Sequence, residues 1–288
     1  MGGEEKIFSV TPKQKAPQGS KMIRIYIATQ KPIELKAENY SPLYVGRSDV
    51  EPNDATGDSI SERNRFYCEL TGHYWIWKND RQSEIVGLCQ YRRYLWLNRP
   101  PSTLCSRNFR SIDECRQHLD ARNLRALLDG YDIILPRRYA FSGDNIETQF
   151  VKAHRRENFD QMLRSIENTH AEYLSTAKKV FAQRTAYLAN LLIARKPLFD
   201  AYSQWLFDVL FDVERQIEFN DANARLPGYM AERLLNLYAA HNRLRVREVP
   251  LIFIGDEDDS ARIDWRYVKR RYLPRLLTVE EKIRRVFK

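Results

Sequence analysis

Short apolar segments of strand length recur along this chain, and between them run longer stretches whose apolar residues fall at helical spacing. Met22 to Ala28 (MIRIYIA) alternates apolar and polar side chains, Glu84 to Cys89 is a short apolar run, and Tyr131 to Pro136 (YDIILP) ends at a proline. Phe66, Tyr67, Leu70, Tyr74 and Trp77 share one helical face, and Leu198 to Ile217 carries a wide apolar face through Phe199, Tyr202, Leu206, Val209, Leu210 and Val213. A period of two marks a half-buried strand and a period of 3.6 an amphipathic helix. Strands alternating with helices over most of the chain imply an α/β fold with a mostly parallel, doubly wound sheet, because parallel neighbours need a crossover connection. In that architecture ligands bind outside the carboxyl ends of the strands.

The remaining elements follow the same logic. Pro42 to Arg47 is a second short strand, and Asn64 is placed to cap the helix that follows it. Ile112 to Leu128 reads as one exposed amphipathic helix, Gln149 to Lys179 as charged helix, and Tyr187 to Ile193 as a buried strand or core segment. Pro197 suits a first helical turn, Gly228 precedes a helix from Tyr229 to His241, and Val246 to Ile254 is a final strand. No internal repeat is visible.

Charge divides the chain. The total is +9, yet residues 262–288 alone hold ten Lys or Arg against three Asp or Glu. Residues 1–21 are polar, rich in Gly, Pro and Lys, and read as a disordered leader; 22–261 read as one domain; 262–288 read as a basic amphipathic tail. That tail sets Trp265, Val268, Tyr272, Leu276, Val279 and Ile283 among its basic residues, a composition suited to an anionic membrane surface and also to nucleic acid or to the protein's own body. No apolar run approaches the ~18 residues that span a membrane, and the start lacks a signal-peptide core. The four cysteines have no Cys-x-x-Cys spacing and read as free thiols. The expectation is a cytoplasmic protein, peripheral on the inner membrane through its tail.

Three constellations carry chemistry. The loop from Asp54 to Ser61 offers carboxylates at Asp54 and Asp58 and hydroxyls at Thr56, Ser59 and Ser61; paired acceptors of this kind bind sugar or ribose diols, and the same residue types also make turns and caps. Gln90-Tyr91-Arg92-Arg93 follows a strand, and guanidinium forks match diphosphate oxygens, though strand-end arginines also form surface ion pairs. Glu232 stands just after Gly228, where a helix N-terminus would keep a catalytic carboxylate ionised; a helix-start acid without chemistry is very common, and spacing alone favours it. The five histidines have no metal-ligand spacing, and there is no P-loop, Gly-x-Gly-x-x-Gly or nucleophile elbow.

The order of the central motifs adds what none gives alone. Gly57-Asp58-x-Ile60-Ser61-x-x-Asn64, then Tyr67-Cys68-Glu69-Leu70-Thr71-x-x-Tyr74-Trp75-x-Trp77-Lys78-Asn79, then Gly87-Leu88-Cys89-x-Tyr91-Arg92-Arg93-Tyr94 resembles a bacterial family first described as a domain of unknown function. Its members occur in capsule, exopolysaccharide and O-antigen clusters and are regarded as glycosyltransferases, galactofuranose transfer among their activities. The likeness runs from about Met22 to Ile254 and includes Glu232-Arg233-Leu234. It implies a GT-A-like fold with a helical C-terminal part, a UDP-sugar donor, a lipid-linked or surface-glycan acceptor and an inverting displacement. Glu232 would be the base, Arg92 and Arg93 would hold the diphosphate, and Thr29, Asp54, Asp58, Ser61, Asn64, Gln90 and Tyr91 would line the donor pocket. No residue is assigned to a metal, although manganese or magnesium is compatible with the reaction. Where the family usually reads His-Tyr-Arg-Arg this chain has Gln90, and Gln30 stands where relatives often have His. Two other readings stay open: a nucleic-acid-binding protein, disfavoured because the basic residues crowd into the tail, and an inactive scaffold of the same fold.

Overall fold

The computed structural model describes residues 22–35, 37–98 and 106–255. The leader, the Asp256 to Asp259 run and the basic tail lie outside them. Among the described residues the main sheet has nine strands. β1 (Met22–Thr29) pairs in parallel with β2 (Tyr40–Tyr44) on one side and with β3 (Ser83–Gln90) on the other. β3 forms a short turn into β4 (Arg93–Leu95), and β5 (Ser106–Phe109) follows later on the far edge. β6 (Ile133–Pro136) and the two-residue strands β7 (Tyr139–Ala140) and β8 (Thr185–Ala186) come next, the last two forming a separate ribbon. β9 (Leu192–Arg195) lies between β3 and β6; β10 (Val246–Val249) extends β6, and β11 (Leu251–Ile254) joins β4 to β5.

Only β4 and β9 run against the other seven strands. The sheet is therefore mostly parallel, as the alternation of elements predicts. Parallel sheets are buried on both faces, and the side-chain alternation shows it here. Tyr26, Ala28, Val86, Leu88, Ile133 and Leu135 enter one core, while Ile23, Ile25, Ile27, Ile85 and Ile134 enter the other.

The first core is covered by α2 (Leu70–Asn79) and by the long C-terminal helices, α5 (Ile146–His154), α6 (Arg156–His170), α7 (Leu174–Phe181), α8 (Lys196–Gln216) and α9 (Leu226–His241). The second is covered more thinly, by α3 (Ile112–Cys115) and α4 (Leu124–Leu127), which supply Cys115, Leu124 and the flanking Leu119 and Leu128. Helix α1 (Asn64–Tyr67) precedes α2. Fully burying one such side chain stabilises the fold by about 1.5–3 kcal/mol.

Several boundaries differ from the sequence reading. The continuous helix expected after the Asp54 loop breaks at Cys68, whose φ of 50° turns the chain between α1 and α2. Asn64 is not a cap but the first residue of α1, with Arg63 at the N-cap. Ile112 to Leu128 forms two short α-helices, the first running on into a 3-10 turn, rather than one helix, while Tyr187 to Ile193 is a buried core segment that becomes strand only at Leu192. Pro250 splits the last strand into β10 and β11, since proline lacks the N–H that a ladder needs. Gly228 lies inside α9, two residues past its first, Leu226.

Candidate functional site

The tips of β1 and β3 are level, Ala28 opposite Gln90. Gln90 uses both ends of its amide. Its Oε1 accepts from Arg93 Nη1 at 3.0 Å and its Nε2 donates to the Ala189 carbonyl at 2.8 Å. The amide orientation is fixed by its partners, because guanidinium can only donate and a carbonyl only accept. Arg92 is exposed and donates from Nε to the Ile254 carbonyl at 2.7 Å, and Tyr91 is 40% exposed beside it. No carboxylate forms an ion pair with Arg92 or Arg93 among the described residues.

Ala189 is the hinge of the site. Its carbonyl takes the Gln90 amide, and its N–H donates to Glu232 Oε1 at 2.8 Å. Arg233 Nη1 holds the other Glu232 oxygen at 2.6 Å. Arg233 is itself buried; it donates to the Tyr229 carbonyl at 3.2 Å and to Gln149 Oε1, and stacks over Phe150. Glu232 therefore stands two turns into α9, with 17% of its side chain exposed. The helix N-terminus cannot act on it at that depth, since the dipole effect is confined to the first turn. Burial instead raises its pKa above the usual carboxylate range, Glu69 adds to the rise, and Arg233, Arg93 and the Ala189 N–H oppose it.

Glu69 is the neighbour that sequence reading overlooked as a site residue. It stands at the N-cap of α2, and its Oε1 accepts from Asn190 Nδ2 at 2.9 Å. The same Asn190 amide nitrogen donates to the Gly228 carbonyl at 3.0 Å. Arg225, before α9, lies against the Cys68 thiol and near Glu69, with its guanidinium over the Tyr229 ring. Four non-glycine residues of this cluster have left-handed backbone: Cys68, Ala189, Asn190 and Arg225, with φ of 50°, 79°, 51° and 68°. Each such conformation costs about 1–2 kcal/mol. Strain of this kind persists where surrounding structure enforces it, and it concentrates at functional sites.

The other expected residues form a second group at the tips of β1 and β2. Thr29 is buried, and its hydroxyl donates to the Lys31 carbonyl at 2.7 Å. Asp54 is fully buried; its Oδ1 accepts from Ser61 Oγ at 2.5 Å and from the Gly46 N–H at 3.0 Å, while Oδ2 has no partner among the described residues. Gly46 has φ of 65°, and a Cβ there would sit 2.5 Å from Asn64 Cγ. Asn64 ties this group to the first: Gln30 Nε2 donates to its Oδ1 at 2.9 Å, and its own Nδ2 donates to the Cys68 carbonyl at 2.8 Å and to Thr71 Oγ1 at 2.9 Å. Asp58 stands apart, exposed, with Tyr74 donating to it at 2.9 Å.

Thus the structure brings Gln90, Arg93 and Glu232 together through the Ala189 backbone and links Asn64 to them through Cys68, Glu69 and Asn190. Thr29, Asp54 and Ser61 make mainly internal bonds, and Asp58 and Arg92 lie on the outside. A cleft of about 600 Å³ lies elsewhere, between the Ser59 to Arg63 loop and the end of α8, lined by Glu62, Arg63, Tyr74, Phe211, Glu214 and Arg215. Arg63 and Glu214 pair across it at 2.6 Å, and Glu232 is not in its wall. No group of three or more His, Cys, Asp or Glu among the described residues is arranged to hold a metal ion. No helix among them is long and apolar enough to cross a membrane.

Residues 24–243 match the family described as a domain of unknown function, DUF4422. The match covers most of the chain, which therefore belongs to that family. Among solved structures, the apo form of a bifunctional glycosyltransferase, WbbM, is similar, with a TM-score of 0.74 and 30% sequence identity. The likeness covers 82% of this chain and 46% of that one, so this chain spans less than half the length of that protein. No curated protein matches. The fold is GT-A-like, as expected.

Proposed function

We propose that this member of the DUF4422 family is a glycosyltransferase that moves a sugar from a UDP-sugar to a surface-polysaccharide or lipid-linked glycan. The similarity to the bifunctional glycosyltransferase supports the reaction class. The observation that carries the mechanism is the Ala189 backbone, which joins Glu232 on one side to Gln90 and Arg93 on the other at the carboxyl edge of the sheet.

In an inverting displacement the acceptor oxygen attacks the anomeric carbon as the bond to the diphosphate oxygen breaks. The hydroxyl proton passes to Glu232, whose raised pKa makes it a stronger base than an exposed carboxylate. The electron pair leaves with the diphosphate, where Arg92 and Arg93 meet the developing charge. Thr29, Asp54, Ser61 and Asn64 shape the nucleotide side, and Asp54 Oδ2 is a buried acceptor still without a donor. Asp58 and Tyr91 are exposed and would meet the donor only from its outer side. Galactofuranose is the sugar we favour, and the 262–288 segment is the surface we assign to contact with the inner leaflet. A thermal-shift series with UDP, UDP-galactofuranose and other nucleotide sugars, with and without manganese, tests donor class and metal use together. Stabilisation by uridine nucleotides supports the reading; no shift with any nucleotide contradicts it.

A further inference from the structure

Glu69 occupies a particular place between the two groups of site residues. On one side the chain Gln30, Asn64 and the Cys68 carbonyl connects it to the tips of β1 and β2. On the other, Asn190 connects it to the turn that holds Glu232. The left-handed turn at Cys68 takes the chain off the α1 axis so that the next residue, Glu69, opens α2. Asn190 is 4% exposed, and its Nδ2 is divided between Glu69 and the Gly228 carbonyl, so the carboxylate it holds has a fixed aim. Glu69 is only partly buried; its second oxygen receives no hydrogen bond from any described residue, and no described cation forms an ion pair with it. An aimed carboxylate with one oxygen to spare is an acceptor for a hydroxyl.

We propose that Glu69 determines donor specificity by accepting a hydrogen bond from a hydroxyl of the transferred sugar. The proposal rests on the glycosyltransferase reading. In any such enzyme the transferred sugar lies between the nucleotide and the base, and Glu69 lies between the residues assigned to each. A site built to bond a hydroxyl also rejects sugars that lack it, because the carboxylate oxygen is then left unpaired.

The test is equilibrium binding of two probes, UDP and UDP-galactofuranose, to the full chain, Glu69→Gln and Asn190→Ala. Glu69→Gln keeps an oxygen for Asn190 and removes the charge; Asn190→Ala keeps the charge and removes its aim. The expected result is a Kd for UDP-galactofuranose raised about tenfold or more in Glu69→Gln and less in Asn190→Ala, with the Kd for UDP within about twofold of the parent. Equal weakening of both probes would place Glu69 at the nucleotide or in the fold and overturn the proposal. No weakening of either in Glu69→Gln would overturn it as well. A parent chain that binds neither probe would instead overturn the glycosyltransferase reading, and this inference with it.

Discussion

Gln90 stands where the sequence resemblance leads one to expect a histidine. Its amide donates to Ala189 and accepts from Arg93, the same pair of bonds that a neutral imidazole would make with its two nitrogens. Glutamine at this place brings no titratable group to the pair. In the proposed mechanism Glu232 is the group whose protonation sets the acid limb of the pH profile. Burial first, and then Glu69, raise its pKa, against Arg233, Arg93 and the Ala189 N–H. A base is lost as pH falls through its pKa, so kcat/KM should decline on the acid side at a pH above the ~4.3 of an ordinary glutamate. A limb at or below that value would show that Glu232 is not the titrating base. Arg93→Ala should weaken UDP binding about tenfold or more, through loss of a charge-assisted contact and of the Gln90 link; an unchanged Kd by calorimetry would remove Arg93 from the diphosphate site. Arginines after a strand and an acid near the start of a helix are legible in the sequence. The environment of Glu232 is not, because the helix begins at Leu226 and burial, not the dipole, raises the pKa of the carboxyl. Glu69 lay in plain view within a motif, but only the fold shows that Asn190 aims it.

The elements divide by how far their partners lie along the chain. β1, β3 and α8 were readable because their apolar periods are long and their burial is two-sided or broad. The breaks at Cys68 and at Ala189-Asn190 were not, since left-handed backbone at non-glycine residues is imposed by tertiary packing and leaves no local signature. β3 is the strand to test. It pairs with β1 and β9, and a Cβ on Gly87 would stand 2.7 Å from Ile193 Cγ1 and 3.2 Å from Ile25 Cγ2. Both neighbours are β-branched, fully buried and fixed in their own strands. Gly87→Ala should therefore destabilise the fold by about 1–3 kcal/mol, outweighing the better strand propensity of alanine. Urea unfolding measures it: the midpoint should fall with the slope unchanged, and an unchanged or raised midpoint would mean that the two strands can part at no cost.

At the scale of the whole molecule, a nearly neutral α/β body adjoins a strongly basic terminal segment outside the described residues. The division of charge predicts a division of labour. A chain ending at Ala261 should keep its affinity for UDP and lose co-sedimentation with anionic vesicles, most clearly at low salt; if the shortened chain still sediments, the membrane contact belongs to the body. The mostly parallel α/β fold followed from the alternation of elements alone. The division into two groups of candidate residues did not, because Asp54, Ser61 and Asn64 resemble an open binding loop until the burial of Asp54 and Asn64 and the Ser61 bond to Asp54 are seen. The central claim, sugar transfer from a UDP-sugar with Glu232 as base, is tested most directly by comparing product formation from UDP-galactofuranose in the parent chain and in Glu232→Gln. The account predicts donor binding within about twofold of the parent and turnover lower by about 10²–10⁴. Turnover near that of the parent, with donor bound equally well, would contradict it.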